Sequence, residues 1–210
     1  MTPTGLLGGS FNPAHRGHRR ISLFAADALG LEELWWLVSP GNPLKPAKGM
    51  APLAKRMASA RAASRRSLIV PTAIEATLGT RYTADTLRRL VARYPKRRFI
   101  WIMGADNLAQ FHLWRDWRRM ARLVPIAVIA RPGYEARAAA TPATAWLRRF
   151  VRPAAGAKHW TQWRPPAIVL LHFRPDPSSA TALRRADPGW HLRETLPLSA
   201  RDPLSRRRIP

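Results

Sequence analysis

The sequence contains no cysteine, and this absence excludes disulfide bonds and thiolate metal sites. It has no apolar run near the roughly 20 residues that a membrane-spanning helix needs. Residues 1–5 lead at once into an apolar stretch, which leaves no room for the basic and apolar regions of a signal peptide. These absences predict a cytoplasmic protein that does not bind a membrane.

Acidic residues are also scarce, because 12 Asp and Glu stand against 36 Lys and Arg and give a net charge of +24. Only five of these cations are lysines, and the arginines are spread through nearly every segment. A dedicated nucleic-acid binder more often concentrates its charge and interleaves aromatic residues with it, so the spread is typical of a composition bias. The charge predicts attraction of small anions and non-specific polyanion binding, and a nucleic-acid role stays open.

Short apolar runs alternate with helical patterns along the chain. Strands are predicted at residues 6–7, 34–38, 68–70, 99–103, 126–129 and 168–171, and helices at 17–29, 52–64, 83–93, 114–123 and 143–151. Continuously apolar strands are typical of parallel sheets covered on both faces. The alternation predicts an α/β fold, a Rossmann-like doubly wound parallel sheet in a single domain.

No Gly/Ser linker divides the chain, so this domain is expected to span residues 1–200. Residues 201–210 form a basic C-terminal tail, and disorder is expected there because terminal residues are often poorly ordered. Residues 135–166 are rich in Ala, Arg and Pro, and a loop or insertion is expected there.

The most informative stretch is GGSFNPAHRGH at residues 8–18, directly after the first predicted strand. Gly8 and Gly9 allow a sharp turn and close approach of a ligand to the backbone, and the first amides of the following helix attract anions. His15 and His18 lie at that helix start and can donate hydrogen bonds to a polyphosphate. The competing interpretation is a plain strand–turn–helix with surface histidines, since short motifs also occur by chance. The full stretch favours a nucleotide-phosphate site.

This stretch resembles the GG[ST]F[DN]PxHxGH signature of the nucleotidylyltransferase superfamily and, more narrowly, the bacterial nicotinate-nucleotide adenylyltransferases. Further segments agree with that family in the expected order, at residues 39–46, 81–87, 103–114 and 178–184. The resemblance implies adenylyl transfer from ATP to nicotinate mononucleotide, giving nicotinate adenine dinucleotide and pyrophosphate in NAD biosynthesis. It also implies Mg²⁺ on the phosphates, for which no protein ligands are predicted, because this ion needs few.

On the ATP side, the resemblance implies catalytic roles for His15, His18 and Arg184. Arg184 would bind the polyphosphate and stabilise charge on departing pyrophosphate. Asp106 follows the fourth predicted strand and is expected to accept hydrogen bonds from ribose hydroxyls or to orient a neighbour. The full ATP-binding set that is expected comprises Gly8, Gly9, Ser10, Phe11, His15, His18, Gly104, Asp106, Ser179, Thr181 and Arg184.

On the mononucleotide side, the resemblance implies phosphate contacts from Asn42 and Lys45, a nicotinate contact from Thr83 and stacking by Trp114. The expected set comprises Asn42, Lys45, Thr83, Asp85, Trp114 and Arg131. Structural roles without a ligand are the competing interpretation. Lys45 would then be a solvated loop residue, Thr83 or Asp85 would be a helix N-cap, and the nearby Trp117 would be a core residue. Arg81 departs from the small or polar residue that the family usually has there.

The sequence has no GxxxxGK[ST] loop and no GxGxxG turn, which disfavours a kinase or a dehydrogenase. A phosphopantetheine adenylyltransferase typically has Thr where His15 stands and lacks the segment at 82–87. Nicotinamide mononucleotide as the acceptor, and a basic nucleic-acid-binding protein on the same scaffold, both stay open. The sequence makes no prediction of the oligomeric state.

Overall fold

The computed structural model describes residues 1–41, 49–130, 141–173, 179–197 and 199–209. These residues form a seven-stranded sheet whose strands are β1 (Thr2–Gly9), β2 (Glu33–Val38), β3 (Ile69–Thr72), β4 (Arg97–Gly104), β5 (Ile126–Ala130), β6 (Val151–Arg152) and β7 (Ile168–His172). The spatial order is β3-β2-β1-β4-β5-β7-β6, and every neighbouring pair is parallel. The predicted doubly wound α/β fold is therefore confirmed.

Helices cover both faces of the sheet. They are α1 (Arg16–Leu29), α2 (Leu53–Ala63), α3 (Ile74–Leu78), α4 (Thr83–Arg93), α5 (Ala105–Ala109), α6 (Trp117–Leu123), α7 (Pro142–Leu147), α8 (Ala180–Ala186) and α9 (Trp190–Arg193). Successive strand residues point to opposite faces, so Trp35 packs in the core beside α4 and α6 while Trp36 packs in the core beside α1 and α2. Both faces of β2 are apolar for this reason.

The stretch at 135–166, where a loop or insertion was expected, holds regular structure in its described part. After α7 come 3₁₀ helices at Arg148–Phe150 and Ala154–Gln162, with β6 between them. The buried indole of Trp160 donates a hydrogen bond to the Leu29 carbonyl at 3.0 Å and holds the second 3₁₀ helix against α1. The helix predicted over 143–151 corresponds to α7, but composition gave no sign of the 3₁₀ helix at Ala154–Gln162, because one anchoring side chain in an Ala- and Arg-rich stretch gives no periodic signal.

The C-terminal residues 199–209 pack against the sheet and do not form a disordered tail. Asp202 is only 2 % exposed, and its Oδ2 accepts hydrogen bonds from the Thr72 hydroxyl at 2.8 Å and the Ala73 amide at 2.6 Å. Arg201 and Arg208 form an antiparallel bridge, and Ile209 is buried in the core. The expectation of disorder rested on the position of the segment at the chain terminus and overlooked the buried carboxylate of Asp202 that anchors it.

Candidate active site

The carboxyl ends of β1, β2 and β4 meet at one edge of the sheet. Gly9 pairs with Val38 of β2, and Leu7 pairs with Ile102 of β4. The chain winds outward in opposite directions from β1 and β4, so this edge is the topological switch point where ligands of such sheets bind. The turn after β1, the segment after β2 and the start of α5 all lie here.

Packing leaves little room for a side chain at Gly8 and Gly9, the last two residues of β1. A Cβ at Gly8 would lie 2.6 Å from Cη2 of Trp101, and a Cβ at Gly9 would lie 3.2 Å from Cε2 of Phe11. Phe11 itself adopts a positive φ of 46° and stacks on Trp36 at 4.8 Å. The predicted ligand-facing role of these glycines stays a prediction, and the structure adds that aromatic rings fill the space beside them.

His15 and His18 cap the first turn of α1 reciprocally. The Gly17 amide donates to Nδ1 of His15 at 3.1 Å, and the His15 amide donates to Nδ1 of His18 at 3.3 Å. The two ring centroids are 3.9 Å apart. Because both Nδ1 atoms accept hydrogen bonds, a neutral ring carries its proton on Nε2. Each imidazole is therefore a Nε2–H donor at a helix N-terminus, which is a favourable place for an anion.

A buried hydrogen-bond chain holds His18 in place. The Ser22 hydroxyl donates to the His18 carbonyl at 2.8 Å and accepts from the indole of Trp36 at 2.8 Å. The Phe11 ring lies 4.9 Å from the His18 ring. Aromatic packing and this chain together fix the position of the imidazole pair.

Arg184 reaches the same turn from the far end of the chain. Its Nη1 donates to the Asn12 carbonyl at 2.7 Å, and its Nη2 donates to the Thr181 hydroxyl at 3.3 Å. Ser179 caps α8, with its hydroxyl accepting from the Ala182 amide at 3.1 Å. The structure therefore brings Arg184 and Thr181 beside the histidine turn, and it assigns Ser179 the capping role.

Asp106 lies at the start of α5, directly after β4. Its carboxylate is exposed, and a Cβ at Gly104 would collide with its Oδ1. Glycine at this position therefore leaves room for the carboxylate at the switch-point edge. The ribose contact that the sequence predicts for Asp106 stays a prediction.

The start of α4 differs from the capping interpretation. Thr83 is the first helical residue and Tyr82 is the N-cap, without a side-chain capping bond. The interpretation of Thr83 or Asp85 as the cap is therefore wrong, and Asp85 instead forms an exposed ion pair with Arg88 at 3.5 Å. Both residues lie in the first turn, where helix amides favour a carboxylate.

Two tryptophans near α6 have different surroundings. Trp117 is buried in the core, which confirms that interpretation. Trp114 is half-buried and packs edge to face on Trp101 at 6.3 Å and Phe111 at 5.6 Å. The guanidinium of Arg115 lies 4.6 Å above the ring of Tyr82 and so connects this region to the start of α4.

Sequence reasoning missed two buried ionisable residues near these elements. Arg56 of α2 is 1 % exposed, and burial lowers its pKa to about 10. Glu75 of α3 accepts a hydrogen bond from the Thr86 hydroxyl at 3.1 Å, and burial raises the pKa of its carboxyl to about 7. An arginine is no signal in a chain so rich in arginine, and a lone glutamate on a short helix gives none either.

Three of the predicted mononucleotide contacts, Asn42, Lys45 and Arg131, lie outside the described residues. Among the helices that the structure does describe, none combines the length and the apolar character that crossing a membrane requires.

Comparisons with known proteins agree with the sequence and the fold. A family model described as cytidylyltransferase-like matches residues 6–186. A relative from Erythrobacter litoralis, described as a probable nicotinate-nucleotide adenylyltransferase, is 63 % identical over 190 residues, which cover 90 % of this chain and 87 % of the relative. A second relative of that description, from Cereibacter sphaeroides, is 52 % identical over 180 residues, covering 86 % of this chain and 95 % of the relative.

Solved structures share the fold at low sequence identity. The nicotinic acid mononucleotide adenylyltransferase of Plasmodium falciparum matches with a TM-score of 0.64 in its complex with APC and 0.65 in its complex with NaAD, at 15 % and 16 % identity. Each match covers 88 % of this chain and 83 % of the other. The family model and the two close relatives show that this chain is a nucleotidyltransferase of the cytidylyltransferase-like family and belongs to its nicotinate-nucleotide adenylyltransferases.

Proposed function

We propose that this enzyme transfers the adenylyl group of ATP to nicotinate mononucleotide, and that the carboxyl edge of the sheet is where it does so. The observation that carries the proposal is the meeting of three cationic or donor groups at one turn. His15 and His18 cap the helix that begins there, and Arg184 donates to the Asn12 carbonyl within the same turn. This arrangement suits a triphosphate.

In the proposed reaction, a phosphate oxygen of nicotinate mononucleotide attacks the α-phosphorus of ATP. The bond between the α-phosphorus and the bridging oxygen to the β-phosphorus breaks, and the electron pair leaves with pyrophosphate. Such a displacement requires positioning and charge neutralisation, not a covalent nucleophile. The Nε2–H groups of both histidines and the guanidinium of Arg184 supply donors and positive charge for the leaving group.

The acceptor is proposed to lie between the start of α4 and Trp114. The first turn of α4, with Thr83, offers the positive end of a helix dipole to the nicotinate carboxylate. Trp114 is half-buried, and its ring is held by Phe111 and Trp101, so it is suited to stack on the pyridine. Asn42, Lys45 and Arg131 remain the proposed phosphate and nucleotide contacts on the basis of the family resemblance.

We assign Mg²⁺ to the phosphates of ATP. Among the residues that the structure describes, no group of three or more His, Asp or Glu side chains is placed to hold a metal ion. Mg²⁺ keeps several waters and is often held by substrate phosphates with one or two carboxylates. Among the described residues, Asp106 at the start of α5 offers a carboxylate at this edge of the sheet. When bound, Mg²⁺ neutralises phosphate charge.

The test is pyrophosphate release from ATP and Mg²⁺ with nicotinate mononucleotide, nicotinamide mononucleotide or phosphopantetheine as acceptor, with product masses confirmed. We expect a clear preference for the nicotinate nucleotide and loss of turnover in EDTA. A preference for nicotinamide mononucleotide would change the assigned acceptor to that nucleotide. Silence with all three acceptors from folded protein would reject the reaction and favour the polyanion-binding interpretation.

Variants of the histidine turn separate catalysis from capping. His15→Asn keeps a side-chain oxygen that can cap α1 but removes the Nε2 donor, so we expect a folded protein whose kcat falls about 100-fold or more. We expect the kcat of Arg184→Ala to fall by a similar factor. The exposed His159→Ala and Arg185→Ala are matched controls and should keep wild-type kinetics. Unchanged turnover in His15→Asn and Arg184→Ala would contradict the assigned roles.

A further inference from the structure

Arg56 is a buried cation that, within the described residues, donates four hydrogen bonds, each to a backbone carbonyl. Its Nε donates to Ala51 at 2.8 Å, and its Nη1 donates to Ser10 at 2.8 Å and to Ser39 at 2.6 Å. Its Nη2 donates to Pro40 at 3.3 Å. Burying a charged guanidinium is unfavourable unless its N–H groups are hydrogen-bonded. The carbonyls around Arg56 satisfy these groups, and the charge-assisted hydrogen bonds hold the carbonyls in place.

The four carbonyls come from three separate segments at the switch-point edge. Ser10 belongs to the turn after β1, and Ser39 and Pro40 follow β2. Ala51 lies just before α2, the helix that carries Arg56. One planar guanidinium thus joins the ends of two neighbouring strands to each other and to α2.

The same turn forms further hydrogen bonds with α2 and with the residues just before it. The Asn12 side chain donates to the Gly49 carbonyl at 2.9 Å and accepts from the Ala51 amide at 3.2 Å. The Ala14 amide donates to the Ser59 hydroxyl at 3.1 Å, one turn along α2 from Arg56. These bonds connect α2 to the proposed catalytic residues. The Asn12 carbonyl accepts a hydrogen bond from Arg184, and Ala14 directly precedes His15.

We propose that Arg56 is a positioning residue that fixes the turn after β1, with its histidine pair, relative to the segment after β2. The inference rests on the proposed function, since the first segment is assigned to ATP and the second leads toward the acceptor phosphate. Displacing reacting groups by about 1 Å can lower the rate about 100-fold. Arg56 therefore acts on the alignment of the two substrates and touches neither.

This role differs from a purely structural one in what it does to kinetics. A structural residue lowers stability, while each molecule that remains folded keeps the wild-type rate. A positioning residue lowers kcat in fully folded protein and leaves the KM of each substrate nearly unchanged, because each half of the site still binds its own substrate.

The decisive variant is Arg56→Lys, which keeps the charge. A lysine ammonium is a compact donor without the planar fork, so it cannot reach carbonyls on three segments at once. The matched control is Arg61→Lys on the same helix, where Nη2 donates to the Arg201 carbonyl at 2.6 Å, away from the site. Folding is checked by circular dichroism and by melting, and kinetics are measured well below the melting temperature.

We expect Arg56→Lys to lower kcat about 100-fold and to change each KM less than about five-fold, with Arg61→Lys within about two-fold of wild type. Wild-type kcat in folded Arg56→Lys, a change confined to KM, or a rate loss that follows the unfolded fraction would overturn the proposal. Arg56→Gln is the second variant. If neither variant folds, the role of the residue lies in folding and the proposal is likewise overturned.

A measurement that does not depend on turnover tests the positioning role of Arg56 independently of the proposed reaction. In ¹⁵N-histidine spectra, the ring signals of His15 and His18 report the hydrogen bonds to Nδ1. We expect Arg56→Lys to shift both signals and Arg61→Lys to leave them in place, whether or not nicotinate mononucleotide is the acceptor. Histidine signals unchanged by Arg56→Lys would refute the coupling, even if the wild-type enzyme makes the dinucleotide.

Discussion

Replacing Glu75 by glutamine should change how stability depends on pH. The carboxyl is buried, and its Oε1 accepts from the Thr86 hydroxyl, which in turn lies 2.8 Å from the Thr80 hydroxyl. Burial raises the pKa from 4.5 to about 7. The unfolded chain therefore loses this proton near pH 4.5, whereas the folded protein retains it until about pH 7.

The direction in which stability changes with pH follows from the number of protons that each state binds. Between these two pKa values the folded state binds more protons, so its stability falls as pH rises. Each pKa unit corresponds to about 1.4 kcal/mol, so the carboxyl removes about 3 kcal/mol once pH exceeds 7 and almost nothing below 4.5. From pH 5 to pH 8 the wild type should lose about 2.5 kcal/mol through this group alone.

Glu75→Gln keeps an oxygen that can accept from Thr86 and removes the titration. We expect the difference in melting temperature between variant and wild type to move in favour of the variant by about 5 to 10 °C between pH 5 and pH 8. Any unsatisfied amide hydrogen adds an offset that does not vary with pH. The exposed Glu32→Gln serves as control and should show a constant difference. A constant difference for Glu75→Gln as well would refute the reasoning.

Two other substitutions test the packing around the site. Gly8→Ala should lower the free energy of unfolding by about 1–3 kcal/mol, because the added Cβ would lie 2.6 Å from Trp101. In the control Gly156→Ala, the added Cβ has no atom within 4 Å, so thermal melts should show destabilisation only for Gly8→Ala. Asp202→Ala should cost about 2–4 kcal/mol in denaturant titrations, because it leaves two buried donors without their acceptor; a neutral result would show that the C-terminal segment does not stabilise the domain.

Local signals in the sequence were enough for the fold class. The apolar run at 34–38 became β2, and the alternation of such runs with helices produced the parallel sheet. The glycine turn with its histidines was placed correctly at the start of α1, because turn and helix chemistry depends on neighbours in the chain. Family membership followed from several such segments in order.

Boundaries and caps were predicted less well. The helix predicted over 114–123 begins at Trp117, because Asp116 adopts a left-handed backbone, and β3 extends to Thr72 through Pro71. Proline is tolerated there because β3 is an edge strand of the sheet, a position that no local pattern reveals.

The sequence alone determined six of the seven strands, the histidine turn at the start of α1 and the residue types that gather at the carboxyl edge. Only the tertiary structure decided that Arg184 meets the carbonyl of Asn12, that Trp101 fills the space beside Gly8, and that one arginine among many, Arg56, is buried beneath the site. Periodicity and spacing report contacts between residues close in the chain. These three contacts join segments far apart in it, so they are set by how the strands and helices pack.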